Sequence, residues 1–541
     1  MGESSLPSGY NSIYCHFCGV SFNIARRRKP GEPDLASWDY TGEQCNEPGV
    51  DELDDLEECA KNGCSIAVRY PKHDEDMVPD PDYEPQNEAG DDIEPYEYDS
   101  NYESSHGGSI NGEVTDDEEK SVNDADDYRD FMSSLLDPQS RFRGEPVGTF
   151  GYSNTPDRNE TILPITSDTL PDEYDPEELE HIPGLTCPEA NAYSGHAISL
   201  EEMRGCRTAQ FLVHKDAGKG RWKPDGLHEP WEIAEDWFLS GVCDGITSRD
   251  CGPPTVRPAR GGVSQPWTDN IIFNREEVNC NDLAMPFHPW CFDLFCRQSK
   301  SRFKLINVSG LIKWRNAESS YEDFHSFPRV GEVHSAQEQF WCHEPGSEYL
   351  TANPLYVPGL PTLLQSAAED EDNRTLAVDH LTSLPLDIRL LIVDYLGSND
   401  ITTLRISSRA FTHLPDSVWY RLVREEMPWL WEVLDESETP HIPSPWTTMT
   451  ANEVRFQEET REQYSRQLRD EYNPPDKIID YLLPLPSAPL DPMKLPRANK
   501  NWHRVYTQIK RNWGMLKGLR NRRRIWEDIE EIIRRIEGIS H

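Results

Sequence analysis

The sequence predicts an α+β multidomain chain. A helical module of three short helices occupies residues 381–434, with further helices C-terminal to it. An irregular Trp-rich α+β domain precedes it, and a long acidic disordered segment lies nearer the N-terminus. Three observations predict this. Apolar residues recur at helical spacing from Leu384 to Val423, between turn signals. Seven tryptophans, Trp222, Trp231, Trp237, Trp267, Trp290, Trp314 and Trp341, are spread through text punctuated by Gly and Pro. Residues 74–130 hold 22 Asp/Glu against only Lys120 and Arg129, a composition that cannot bury enough apolar area to offset its conformational entropy.

Whole-chain totals narrow the function classes. A 541-residue chain with net charge −44 and pI near 4.7 is not a nucleic-acid or anionic-membrane binder over its whole length. No run approaches the ~18 apolar residues of a bilayer span. Residues 1–12 lack the basic and apolar regions of a secretory signal, and Leu6 breaks the myristoylation pattern that Gly2 would begin. Thirteen cysteines form an odd total scattered along the chain. That is not a disulfide framework, so reduced thiols, partly metal-binding, and a nuclear or cytoplasmic location are expected.

Taken in order, residues 10–70 open with Tyr14-Cys15-His16-Phe17-Cys18-Gly19, a Cys-x2-Cys knuckle whose Gly permits a tight turn. Tetrahedral zinc needs two more ligands. His288 and Cys291, at His-x2-Cys spacing, are one candidate pair, and Cys59 with Cys64 is the alternative; Cys45, in polar Pro/Gly-flanked text, ranks behind both. The competing reading is that these are ordinary buried thiols. A structural zinc is favoured over a catalytic one, because no acidic base accompanies a three-ligand pattern. Residues 71–180 are the acidic disordered linker, read as a solvated spacer.

Residues 181–361 form the Trp-rich α+β domain, with Ser199 and Glu202 spaced as a capping box. It carries Cys206, His214, Asp216, His288 and Asp293 but no nucleophile elbow, phosphate loop or His-Glu-x-x-His motif, so catalysis is not expected and its aromatics are read as core with a few partner contacts. Residues 362–380 are an acidic connector.

Residues 381–434 carry a recognisable pattern. The run Leu384-Pro385-Leu386-Asp387-Ile388, then Ile392, Leu396, Asp400-Ile401, Leu404-Arg405 and Ser408-Arg409-Ala410-Phe411 resembles an F-box. It departs from the family pattern at Asp387, where Glu is commoner, at Ser408, often Cys, and at Phe411, often Trp. Ser-Arg-Ala-Phe and Met427-Pro428-Trp429-Leu430-Trp431 also resemble a group of filamentous-fungal F-box proteins. The resemblance covers about a tenth of the chain. It implies a non-catalytic substrate receptor of a Skp–cullin–F-box ubiquitin ligase. Leu384, Pro385, Ile388, Ile392, Leu396, Leu404 and Phe411 would bind or shape the interface with a Skp-type adaptor, and the cullin and RING subunits would join through it. The protein substrate is not readable. The rival readings are an F-box scaffold or regulator outside a ligase, and a zinc-containing nucleic-acid-associated factor.

Residues 435–541 form a C-terminal helical extension with a basic patch. Residues 494–524 contain eleven Lys/Arg and no acid, with Trp502, Tyr506 and Trp513 between them. Ile509, Trp513, Leu516, Leu519, Ile525 and Trp526 fit an apolar helical stripe with Lys/Arg on the wet face. That intramolecular role outranks nucleic-acid binding.

Overall fold

The buried strand Thr208–His214 and the helix Pro289–Phe303 packed on it set up the larger core. The computed structural model describes residues 14–33, 36–38, 56–69, 160–166, 179–187, 192–217, 219–224, 228–244, 283–318, 331–337, 345–365, 379–433 and 501–539, with isolated pieces at 260, 263–264, 267–268, 447, 466 and 469. Residues 71–159, most of the acidic interval, and nearly all of 434–500 therefore lie outside the described residues, as does Cys45. The described residues belong to one compact unit, Met1–Arg69 with Phe150–His541.

The strands are β1 (Arg26–Arg27), β2 (Ser65–Arg69), β3 (Glu160–Pro164), β4 (Leu179–Ile182), β5 (Tyr193–Ser194), β6 (Thr208–His214), β7 (Lys219–Gly220), β8 (Trp237–Leu239), β9 (Cys243–Asp244), β10 (Val263–Ser264), β11 (Trp267–Thr268) and β12 (Leu283–Phe287). The helices are α1 (Leu56–Lys61), α2 (Pro230–Ala234), α3 (Pro289–Phe303), α4 (Val308–Glu318), α5 (Gly331–Gln337), α6 (Leu360–Gln365), α7 (Leu386–Asp394), α8 (Ser398–Ser407), α9 (Asp416–Glu426), α10 (Trp502–Arg511) and α11 (Lys517–Ile539). The chain thus mixes helices with several small sheets, as expected of an α+β protein.

β6, Thr-Ala-Gln-Phe-Leu-Val-His, is buried up to its last residue. It pairs antiparallel with β12 (Phe211 opposite Pro286), β8 and β9, and β11 completes the sheet beside β12. A strand buried on both faces reads as a continuous apolar run. α3 begins with Pro289 in its first turn, where the missing N–H has no intrahelical partner, and ends at Lys304 in the left-handed region, φ 64°. α11 presents Ile525, Ile529, Ile532, Ile533 and Ile536 at i, i+4 spacing into this same core. Gly310 lets α4 approach it, since a Cβ there would lie 2.6 Å from Ile536.

The N-terminal stretch 14–38 is part of this core too. Cys15, Phe17, Val20, Phe22 and Ile24 pack with β6, β12 and α3, and β1 pairs in parallel with β5. The second core joins the three short helices to the C-terminal ones. Val393, Ile401, Phe411, Trp419, Leu422 and Val423 meet Trp502, Val505, Tyr506, Ile509 and Leu519. Trp526 borders both cores.

Two expectations are corrected. The interval 71–180 is not disordered linker throughout: β3 and β4 lie at its C-terminal end and flank β2 in an antiparallel sheet, Arg69 opposite Glu160 and Val68 opposite Leu179. Glu-Thr-Ile-Leu-Pro is a short β-branched run whose signal is swamped by the surrounding acid. The Arg522–Arg524 run is not on a wet face. Arg522 and Arg524 are buried, and only Arg523 is exposed, paired with Glu527 at 2.7 Å.

Candidate functional site

Among the described residues, two groups of cysteine and histidine side chains converge, each with its four ligand atoms within 4.8 Å of one another: Cys15, Cys18, His288 and Cys291, and separately Cys59, Cys64, His181 and Cys187. The structure therefore brings together the first four predicted ligands. It moves Cys59 and Cys64, the alternative partners for the knuckle, into a second cluster. His181 and Cys187, missed in the sequence, complete that one.

The first cluster is assembled from two local turns. The Val20 carbonyl accepts from the Cys15 N–H at 3.0 Å, and the Cys15 carbonyl accepts from Gly19 N–H at 2.9 Å, closing the knuckle. Gly19 is in the left-handed region, φ 72°, and a Cβ there would sit 2.4 Å from the Val333 carbonyl of α5. Both reasons require glycine. The His16 N–H donates to the Pro286 carbonyl at 3.0 Å, anchoring the knuckle to β12. The chain leaves β12 through His288, the N-cap of α3, which places Cys291 in the first turn beside the helix's positive end.

His288 is held in an orientation that suits a metal ligand. Its Nε2 lies 2.9 Å from the Cys206 carbonyl, an oxygen that can only accept, so Nε2 carries the proton and Nδ1 faces the Cys18 sulfur at 3.4 Å. Its ring is stacked on Trp290 and tilted against Phe22, at centroid separations of 4.9 and 4.5 Å. All four residues are buried. Burial opposes charge on Cys18, yet hydrogen bonds with Cys15 and Cys291 and the neighbouring imidazole bring its thiol well below the ordinary range. Burial, together with the adjacent Cys15 and Cys18, holds Cys291 well above it. His288 feels burial in the opposite sense, but Cys18 and Cys15 raise it to about 10. A divalent metal would take three thiolates and a neutral imidazole. Three sulfurs and one nitrogen, closed from solvent, are the donor set of a structural tetrahedral site with no open position.

The second cluster hangs on α1 and the β2–β4 pair. The Cys59 carbonyl accepts from the Cys64 N–H at 3.0 Å across a turn in which Gly63 has φ 74°. The Gly184 N–H donates to the Cys64 sulfur at 3.2 Å, and Cys59 Sγ lies 3.7 Å from His181 Nε2. Burial, reinforced by Arg27, lowers His181 to about 4, so its imidazole is neutral near pH 7.

The residues weighed for catalysis have other partners: Asp293 pairs with Arg297 at 2.6 Å, and His214 lies edge-on to Trp237.

The predicted docking residues divide by exposure. Pro385, Ile388 and Ile392 are exposed, Leu384, Leu396 and Leu404 are half-buried, and Phe411 is 1% exposed in the second core. Phe411 therefore shapes the module from within and has no surface to offer a partner. Further apolar side chains stand exposed on α7 and beside it: Leu386 is 49% exposed, Leu391 51% and Tyr395 87%, with Leu381 and Ile406 also outside. Ile388, Leu391, Ile392 and Tyr395 share one helical face, while Leu390, Val393 and Leu396 face the core. α7 is thus apolar on both sides, a property of helices buried all round. A helical wheel of 386–396 carries this signal.

No known family model matches the chain, and no solved structure matches it. A stretch of 64 residues is 50% identical to part of "ATP-dependent RNA helicase mss116, mitochondrial" of Aspergillus oryzae, covering 12% of this chain and 10% of that protein. The chain thus spans about a tenth of the length of that curated relative.

Proposed function

We propose that the chain is the non-catalytic substrate-recognition adaptor of a Skp–cullin–F-box ubiquitin ligase, with the outer face of α7 as its dock for a Skp-type partner. The observation that carries this reading is the apolar face Ile388, Leu391, Ile392 and Tyr395, exposed among the described residues, on a helix whose other side is already packed. A contiguous exposed apolar face of this kind marks an interaction surface. Burying a Leu or Ile side chain contributes about 1.5–3 kcal/mol, so three or four such residues suffice for a stable interface. The F-box resemblance of the same residues supplies the identity of the partner.

In this reading the ligase chemistry belongs to other subunits. The adaptor tethers a protein substrate and raises its effective concentration near the ubiquitin-charged enzyme. The N-terminal and Trp-rich regions, sharing one core with α11, form the body that presents the substrate surface. A zinc ion at Cys15, Cys18, His288 and Cys291 fixes that body: three thiolates and the Nδ1 of His288 would hold it, and it would supply structural cross-linking alone.

The test is co-purification with a Skp-type adaptor. Ile388→Asp with Leu391→Asp should abolish recovery while the circular dichroism spectrum is unchanged, and Thr402→Asp, on exposed α8 surface, should leave recovery intact. Undiminished recovery of the adaptor by the folded double variant refutes the assigned face. Recovery of the adaptor without a cullin instead identifies an F-box scaffold outside a ligase.

A further inference from the structure

We propose that Cys59, Cys64, His181 and Cys187 form a second, independent zinc site that staples together the two chain ends leading into residues 70–159. The proposal does not depend on the adaptor reading or on the Cys15 cluster.

The donor set is again three sulfurs and one imidazole within 4.8 Å of one another, and Zn–S bonds of about 2.3 Å place tetrahedral ligands at such mutual separations. Around these atoms the backbone is arranged as a knuckle. Gly63 turns the chain between the two cysteines, and the amide of Gly184 points at the Cys64 sulfur. A Cβ at Gly184 would lie 1.9 Å from the Asn62 carbonyl, so the two ligand-bearing turns meet at a distance only glycine allows. The Thr186 hydroxyl donates to the Asn62 side chain at 2.6 Å across the same junction. Among the described residues, Cys59, Cys64, Ile66, Val68, Ile165 and Leu179 form a small core cluster of their own, where a further link between the three strands adds most.

The position of the site gives it a purpose. Cys59 and Cys64 stand just before β2, and His181 and Cys187 lie within and beyond β4. Residues 70–159 leave from Arg69 and return at Glu160, its direct partner in the β2–β3 pair. A metal bound by ligands from both sides of this interval closes it as a loop, so the strongly acidic text within it is carried with both ends fixed. The link is what pairs β2 with β3 and β4 despite the sequence distance, because closing a long loop is opposed by chain entropy that a metal clip offsets.

The structure also separates this site from the other. The buried Arg28–Glu180 ion pair, 2.7 Å, joins the strand that bears His181 to the segment that bears Cys15 and Cys18. Each cluster has its own four ligands and shares none with its neighbour.

The experiment is metal analysis of the purified full-length chain by mass spectrometry. Two zinc ions per chain are expected, falling to one in Cys59→Ser/Cys64→Ser and to one in Cys15→Ser/Cys18→Ser. His181→Cys, which keeps four ligands, should fold and retain two. Cobalt(II) exchange into the wild type should give twice the thiolate-to-metal absorbance per chain of the Cys59→Ser/Cys64→Ser variant. No zinc in the wild type overturns the proposal, as does a single wild-type zinc that Cys59→Ser/Cys64→Ser retains. So does retention of two zinc ions by Cys59→Ser/Cys64→Ser. If that double variant fails to fold, the wild-type stoichiometry and the His181→Cys variant decide the matter.

Discussion

Replacing Arg522 by Met removes a cation that no water reaches. Arg522 is fully buried; its Nη1 lies 2.8 Å from both oxygens of Glu432, its Nε donates to the Pro354 carbonyl at 2.5 Å, and its guanidinium lies 3.9 Å from the centre of the Trp431 ring. Methionine fills much of the volume but leaves the Glu432 carboxylate charged, buried and unpaired, and the Pro354 carbonyl without its donor. Breaking a buried pair from one side costs about 3–5 kcal/mol. Deleting both charges in Arg522→Met/Glu432→Leu should recover most of that loss, because neither charge is then stranded. Urea unfolding followed by tryptophan fluorescence reads this directly, since Trp431 is in the contact. With a slope of roughly 2–3 kcal/mol per molar urea, the single variant should shift the midpoint down by about 1–2 M. A single-variant loss below ~1 kcal/mol, or a double variant no better than the single, refutes the structural role of Arg522. It would then return the basic run to the nucleic-acid reading.

Other perturbations probe the remaining contacts. Phe411→Ala should cost about 3–5 kcal/mol, because the ring is buried in the second core, whereas Ile388→Ala should leave thermal stability nearly unchanged and weaken adaptor recovery. Stripping metal with a strong chelator should lower the melting temperature, and zinc but not magnesium should restore it, because hard cations do not take three thiolates. The Ser408 hydroxyl and the Ala410 N–H donate to Asp379 and hold its carboxyl below the usual range. A carboxylate with a depressed folded-state pKa contributes stability above its unfolded value, ~3.9, and loses it as pH falls through the folded value. Asp379→Asn should therefore lower the melting temperature at pH 6, and the gap to wild type should close below about pH 4.

The mixed fold, the helical module and one ligand set were legible because each rests on a local pattern. Cys-x2-Cys-Gly and His-x2-Cys each announce half of a site through spacing alone, and the structure brings those halves together. His181 and Cys187 carry no such spacing. They stand singly on the far side of the acidic interval, so only the β2–β4 pairing reveals them. The exposed apolar face of α7 was half legible: Ile388 and Ile392 stand on it, whereas Phe411 repeats the same apolar rhythm but turns inward. Periodicity names a face; packing decides which side is wet. Arg522 and Arg524 were misplaced for a related reason. An amphipathic pattern assigns charge to solvent, and a buried guanidinium bonded to Glu432 or to the Cys18 carbonyl breaks that rule without altering the pattern.

The hydrogen bond from Arg524 to the Cys18 carbonyl, 2.7 Å long and 506 residues apart in sequence, also sets a timetable. At about 5–20 residues per second, the ribosome takes roughly half a minute to two minutes to deliver Arg524 after Cys18 emerges. For that interval the knuckle, β6 and α3 face solvent with the isoleucine side of their core uncovered. The nascent chain thus exposes apolar surface until late in its own synthesis. A lesion near α11 would be felt as failed biogenesis at the opposite end of the molecule.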